Sequence, residues 1–164
     1  MSLTIVMYHY VRDLERSRYP DIKGRSLEEF KGQLDYIDDH FTVVTTEDVT
    51  TAIKGEHRLP NDAAWLTFDD GYIDHFVNVF PLLHDRGWQG AFFPPASTVL
   101  HGELLDVNKV HFILAAQPDV DVIIQEIKTF VEDHRDGDRV LDFASYWEEL
   151  AHPSRFDTAE VIFI

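Results

Sequence analysis

The feature that most constrains the fold is an alternation of short apolar runs with helical patterns in the first part of the chain. Each run is too short for a helix and rich in β-branched or aromatic residues, which is typical of buried strands. The connections between runs are long enough for crossovers, so an α/β fold with a parallel sheet or barrel is predicted. The first run is expected to be buried on both faces. The predicted strands are 3–8, 41–45, 63–68 and 90–93.

Helix signals separate these runs. Ser26 and Glu29 have the spacing of a capping box, and apolar residues recur at helical spacing after them, which predicts a helix over 27–39. A second helical pattern covers 72–86, where Pro81 is expected to break the helix into two pieces.

The pattern changes in the last third of the chain, where no strand alternation is evident. Amphipathic helices are predicted at 120–131 and 141–150, joined by acid-rich connectors. We therefore expect two parts: residues 1–98, which carry the sheet, and residues 99–164, an acidic helical insertion or subdomain. Because the chain stops on four apolar residues without a C-cap, we also expect it to be truncated at its end.

Composition excludes several classes of function. The 164 residues include 30 Asp and Glu against 14 Lys and Arg, a formal charge of -16, which disfavours nucleic acid and anionic membranes as partners. The absence of cysteine excludes disulfides and thiol nucleophiles, so any metal must bind to His, Asp or Glu. The sequence has no apolar run of membrane-spanning length and starts without signal-peptide features, which favours a cytoplasmic location.

Two adjacent acids, Asp69 and Asp70, follow the third predicted strand and precede Gly71. The carboxyl edge of a parallel sheet is where ligands and catalytic groups gather. Because successive side chains there point in different directions, one carboxylate can bind a cation while the other acts as a base. By residue type alone, the pair fits a plain turn with a helix cap equally well.

Other catalytic patterns fit poorly. An aspartyl phosphatase loop would place its nucleophile at position 68, which is Phe68. The sequence also lacks the Gly-x-Ser-x-Gly elbow of serine hydrolases, a phosphate-binding glycine loop and a dinucleotide fingerprint.

Three segments together are similar to the polysaccharide deacetylase family, the NodB-homology domain. They read LTFDDGY at 66–72, FPLLHDRG at 80–87 and GAFF at 90–93, and MYHYV at 7–11 resembles the opening strand of many bacterial members. The resemblance implies the N-terminal portion of a distorted (β/α) barrel, with the helical segment as an insertion.

The resemblance also implies a chemistry. In this family the first Asp of the pair is the general base and the second binds a divalent metal, usually zinc, and these roles fall on Asp69 and Asp70. The implied reaction removes acetyl groups from N-acetylated sugars or polysaccharides, through attack of an activated water on the amide carbonyl.

The family's His-x-x-x-His metal motif is missing, since no two histidines of this chain have that spacing. His9, at the exit of the first strand, is a candidate substitute ligand, although a hydrogen bond to loop backbone is the more common role for such a histidine. His75 is a weaker candidate ligand, and Tyr72 is a candidate pocket residue. Two interpretations remain open: a deacetylase represented by its first half, or an inactive binding module. An incomplete barrel would leave the fourth strand with an unpaired edge, which predicts a homodimer.

Overall fold

The structure, a computed structural model, describes residues 2–136 and 139–164. It divides the chain into two compact units, Met1–Leu105 and Asp106–Ile164. The first unit is a mixed α/β structure with a parallel sheet, which confirms the predicted fold class. The role of the second unit as an insertion in a longer barrel stays a prediction.

The sheet is organised around one central strand. β3 (Asp62–Asp69) pairs in parallel with β1 (Ser2–Tyr8) along one side. Along its other side, β2 (Thr42–Val43) pairs with the first half of β3 and β4 (Gly90–Phe93) pairs with the second half. All four predicted strands are therefore present, and the carboxyl ends of β1, β3 and β4 lie at one edge.

Four α-helices lie among the described residues of this unit, and their bounds follow local signals. α1 is Leu27–His40, and the capping box of Ser26 and Glu29 is formed as predicted. The other segments are α2 (Thr46–Ile53), α3 (Phe80–Asp85) and α4 (Ala96–His101).

One face of the sheet is closed by an aromatic core. The rings of Tyr8, Phe68 and Phe92 stack across β1, β3 and β4, with centroid separations of 5.4 Å and 4.9 Å. Phe30 of α1 meets Tyr8 edge-on at 5.0 Å. Because these three strand residues are partners in the strand register, their side chains project to the same face, on which α1 packs.

The opposite face is more open, and here the prediction for the first strand was wrong. Ile5 and Met7 of β1 are 58% and 60% exposed, and Phe93 at the end of β4 is 50% exposed. The cause is position: within the described residues β1 pairs with β3 alone, and the buried cluster that includes Val49 of α2 packs against Leu3 but does not include Ile5 or Met7. Parallel sheets are normally covered on both faces, so this face is unusual.

Pro81 does not break its helix in two. A π-helical turn spans His75–Val79 and continues directly into α3. The N–H of Phe80 bonds to the carbonyl of His75, five residues earlier, and Pro81 follows as the second residue of α3. The wide turn lets the chain continue although Pro81 has no N–H to donate, and π-turns are rare and frequently occur at functional sites.

The second unit is helical. The rings of Phe143, Trp147 and Phe163 form a cluster with centroid separations of 5.1–5.7 Å, which joins two of its helices. Both amphipathic helices predicted in this part exist. Its helices are α5 (Asp106–Ala116), α6 (Val120–Asp133), α7 (Phe143–Leu150) and α8 (Ala159–Phe163).

Candidate functional site

The two adjacent acids lie where the central strand ends in a sharp turn. Asp69 is the last residue of β3 and is in register with Phe93 of β4. Asp70 and Gly71 both have left-handed backbone, with φ of 72° and 65°. Left-handed backbone is uncommon for a non-glycine residue and marks strain that often lies at functional sites. A Cβ at Gly71 would stand 2.7 Å from Cβ of Pro94, so the turn also requires glycine sterically.

Two tyrosines hold the carboxylate of Asp70. The hydroxyl of Tyr72 lies 2.9 Å from Oδ2 of Asp70 and 2.7 Å from the hydroxyl of Tyr10. A phenol has one hydrogen and a carboxylate only accepts, so Tyr72 donates to Asp70 and accepts from Tyr10. Burial, with further contributions from these two hydrogen bonds, raises the pKa of Tyr72 well above its ordinary value. Tyr72 therefore stays protonated at neutral pH and remains a donor.

A part-buried ion pair lies behind the tyrosines. Nε of Arg12 is 2.7 Å from Oδ2 of Asp74, and the side chain of Asp74 is 8% exposed. The guanidinium of Arg12 also lies 4.8 Å from the ring centroid of Tyr10 and 5.8 Å from that of Tyr72, within the range of cation–π attraction. Arg12 thus connects the loop after β1 to both tyrosines and to the segment after β3.

Two more side chains fix the loop after β1. Nε2 of His75 donates to the carbonyl of His9 at 2.7 Å, and Nδ2 of Asn78 donates to the carbonyl of Val11 at 2.8 Å. Together with the Arg12 ion pair, these bonds join the loop at positions 9, 11 and 12 to residues 74, 75 and 78. These contacts therefore hold Tyr10, in the loop after β1, against Tyr72, in the segment after β3.

The ring of His75 is 4% exposed and lies among Phe68, Tyr72 and Phe92. Because a carbonyl only accepts, the proton of the neutral ring is on Nε2, and Nδ1 is buried without a hydrogen-bond partner in the structure. Burial lowers the pKa of His75, although the bond to His9 and the charges of Asp74 and Asp70 partly offset this effect. His75 is therefore neutral at pH 7.

These residues do not fit a catalytic zinc. Within 2–136 and 139–164, no group of three or more His, Asp or Glu side chains is placed to hold a metal ion. A catalytic zinc normally has three protein ligands and one open position. On His75, the nitrogen whose lone pair could bind a metal is Nδ1, and it is enclosed by aromatic rings. The structure therefore brings Tyr72 to Asp70, whereas among the described residues neither His9 nor His75 belongs to a group that could hold a metal ion.

A groove of about 1000 Å³ lies between β1 and α1. His9 and Tyr10 are among the residues that line it, with Lys23, Arg25 and Glu29 on the loop and helix opposite. Asp69 and Asp70 do not line this groove. The acids and the groove are thus neighbouring but distinct features, and the groove by itself does not define the site.

Sequence reasoning missed Tyr10, Arg12 and Asp74. A usable signal existed for the first two, because both follow the strand that was expected to bring His9 to the same sheet edge as the acids. The ion pair of Arg12 with Asp74 joins residues 62 positions apart and has no local signature.

Comparisons with known proteins agree with this fold. No protein-family model matches the chain. Over 101 residues, 61% of this chain and 34% of the relative, it is 23% identical to YxkH of Bacillus subtilis (strain 168), which carries a polysaccharide deacetylase assignment. Over 56 residues, 34% of this chain and 8% of the relative, it is 38% identical to the poly-beta-1,6-N-acetyl-D-glucosamine N-deacetylase of Escherichia coli (strain K12).

Among solved structures, a de-N-acetylase from Aggregatibacter actinomycetemcomitans superposes with a TM-score of 0.54 and 24% identity, covering 63% of this chain and 42% of that one. This likeness shows the fold, a partial match to an α/β deacetylase domain. The curated relatives both have deacetylase names, which confirms the resemblance to the polysaccharide deacetylases seen in the sequence. The chain spans about a third or less of the length of these curated relatives.

No helix among the described residues is both long and apolar enough to cross a membrane.

Proposed function

We propose that this chain contains the general base of a hydrolase that removes acetyl groups from N-acetylated sugars or polysaccharides. The observation that carries the proposal is the pair Asp69 and Asp70 at the carboxyl end of the central strand, with Asp70 in a left-handed turn and hydrogen-bonded to Tyr72. Support for the substrate class comes from the E. coli relative, which is named for poly-N-acetylglucosamine.

The roles of the two acids follow from their places. Asp69 is the last residue of β3 and only partly buried, so its carboxylate can reach a water held above the sheet edge. We assign it as the general base that takes a proton from this water as the oxygen attacks the amide carbonyl. The C–N bond then breaks, the nitrogen gains a proton, and acetate and a free amine leave.

Asp70 is proposed as one ligand of a divalent metal, zinc in the first instance. Such a metal would polarise the amide carbonyl. Because the described residues do not complete a zinc site, the remaining ligands must come from outside them. We therefore expect the 164-residue chain alone to bind zinc weakly and to be inactive.

A catalytically inactive binding or interaction module that lacks the metal-binding histidines is the second candidate. The lack of a three-ligand group among the described residues favours this candidate, since such a site cannot hold a catalytic zinc by itself.

Acetate release from N-acetylglucosamine oligomers tests the proposal, using the full product of the reading frame that contains this chain. Asp69→Asn should lower turnover by about 10²–10⁴ and leave the zinc content unchanged, because only the proton acceptor is lost. Asp70→Asn should lower the zinc content, since it removes an anionic ligand. Asp38→Asn, an exposed position on α1, is the control and should change neither.

Three results would contradict parts of this proposal. Acetate release by the 164-residue chain alone would overturn its expected inactivity. Full turnover of Asp69→Asn would remove the base assignment. A full-length product with neither zinc nor activity would favour the binding module.

A further inference from the structure

Asp70 is a residue whose backbone and side chain are both held in place. Its left-handed φ of 72° is sterically unfavourable, and its carboxylate is hydrogen-bonded by the hydroxyl of Tyr72. A hydrogen bond to an ionised carboxylate is about twice as strong as one between neutral groups. The orientation of this side chain is thus determined by a residue two positions later, across the turn.

Tyr72 is in turn oriented by its surroundings. Its hydroxyl accepts from Tyr10, whose side chain is almost completely buried, and the two ring centroids are 4.3 Å apart. Arg12 lies over Tyr10 and is held by Asp74. A phenol has few rotatable bonds, so a chain of two packed tyrosines, Tyr10 buried and Tyr72 half-buried, fixes the direction of its last hydrogen bond.

We propose that Tyr72, supported by Tyr10, is a positioning residue that holds the carboxylate of Asp70 in the orientation needed at the deacetylase site. Arg12 and Asp74 maintain the two tyrosines in contact. The inference rests on the proposed function for its effect on activity, whereas the orientation of Asp70 itself can be measured without any activity.

The first experiment measures the χ1 rotamer of Asp70 in the 164-residue chain, from three-bond NMR couplings. In the native chain one rotamer should dominate. Tyr72→Phe removes the donor but keeps the ring, so the couplings should move toward values averaged over several rotamers. Tyr10→Phe should produce a smaller change in the same direction. Tyr36→Phe, on the exposed face of α1, is the control and should leave the couplings of Asp70 unchanged.

The second experiment measures steady-state kinetics in the full-length product. Loss of a residue that orients a metal-ligating side chain typically costs about 10- to 100-fold in metal affinity or activity. Tyr72→Phe should therefore lower kcat by about that factor with little change in KM, because the substrate is still bound. Tyr10→Phe should lower kcat less.

An unchanged, single Asp70 rotamer in Tyr72→Phe would overturn the proposal, whatever the activity. If the rotamer becomes averaged but the native full-length product shows no deacetylase activity, the positioning role stands and the proposed function fails. If the rotamer becomes averaged in an active enzyme but kcat is unchanged, the orientation has no catalytic role and the proposal is also overturned. Should Tyr72→Phe fail to fold, Tyr10→Phe decides by the same two measurements.

Discussion

Nε2 of His75 donates a hydrogen bond of 2.7 Å to the carbonyl of His9, and this bond joins the end of the first strand to the segment that follows the third. It also fixes the neutral tautomer of His75, whose Nδ1 is buried among aromatic rings without a hydrogen-bond partner in the structure. Protonation would place a second hydrogen and a charge on that buried nitrogen. The stability of the fold is therefore linked to the protonation of one histidine.

The first prediction concerns this linkage. Burial lowers the pKa of His75 below its unfolded value of 6.5, so between the two values the unfolded chain binds more protons than the folded one. The contribution of His75 to the free energy of unfolding should thus be complete above pH 6.5. It should fall as the pH drops below 6.5 and level off once the pH is below the folded pKa. Urea unfolding at pH 5 and pH 7.5 measures this.

The nearby charges of Asp74 and Asp70 oppose the shift, and His9 adds to it, so the variant must isolate His75. His75→Gln keeps an N–H donor but does not titrate, and should show a smaller loss of stability at pH 5. His101→Asn, an exposed position on α4, is the control and should retain the native pH dependence. An equal pH dependence in native chain and His75→Gln would refute the prediction.

The second prediction concerns the ion pair of Arg12 with Asp74. Arg12→Ala leaves a carboxylate that is 8% exposed without its cation, which should cost about 3 kcal/mol in the free energy of unfolding. Arg16→Ala is the matched control, because its ion pair with Asp13 is solvent-exposed and should contribute no more than about 1 kcal/mol. Urea midpoints at constant m-value compare the two. Similar costs for both variants would show that burial of the Arg12 pair is not decisive.

A third prediction concerns close packing at the start of β4. A Cβ at Gly90 would stand 2.8 Å from Phe68 and 2.9 Å from Leu83, both fully buried, so Gly90→Ala should cost about 1–3 kcal/mol. At Gly32, within α1, the corresponding position has no atom within 4 Å apart from its chain neighbours and the helix's own backbone. Gly32→Ala should therefore stabilise the chain by up to about 1 kcal/mol. In thermal unfolding, the midpoint should fall for Gly90→Ala and rise for Gly32→Ala. An unchanged midpoint for Gly90→Ala would show that the core adjusts to the added methyl group.

The last prediction concerns the open face and edges of the sheet. The comparisons give no support for a homodimer, so association stays a prediction that rests on the exposed Ile5, Met7 and Phe93. The 164-residue chain should sediment above its monomer mass at high concentration, and Ile5→Lys should shift it toward monomer. Ile53→Lys is the control, since Ile53 is 80% exposed and lies on α2 rather than on a strand. A stable native monomer would rule the association out.

Much of the first unit could be predicted from the sequence because its signals are local. Short runs rich in β-forming residues predicted the four strands, and α1 begins at a capping box formed by residues three positions apart. The place of Asp69 and Asp70 at a strand end also followed from adjacent residues. Local patterns failed at Pro81, because whether a proline breaks a helix depends on the backbone of the turn before it.

Only the tertiary structure decided how the site residues meet. The register of β1 with β3, in which Tyr8 pairs with Phe68, brings the loop after one strand beside the turn after the other. That register places Tyr10 against Tyr72, although 62 positions separate them in the chain. It also leaves Ile5 exposed, although its apolar run read as buried on both faces. Periodicity along a chain identifies a strand, whereas its neighbours in space determine which of its side chains are covered and which reach the site.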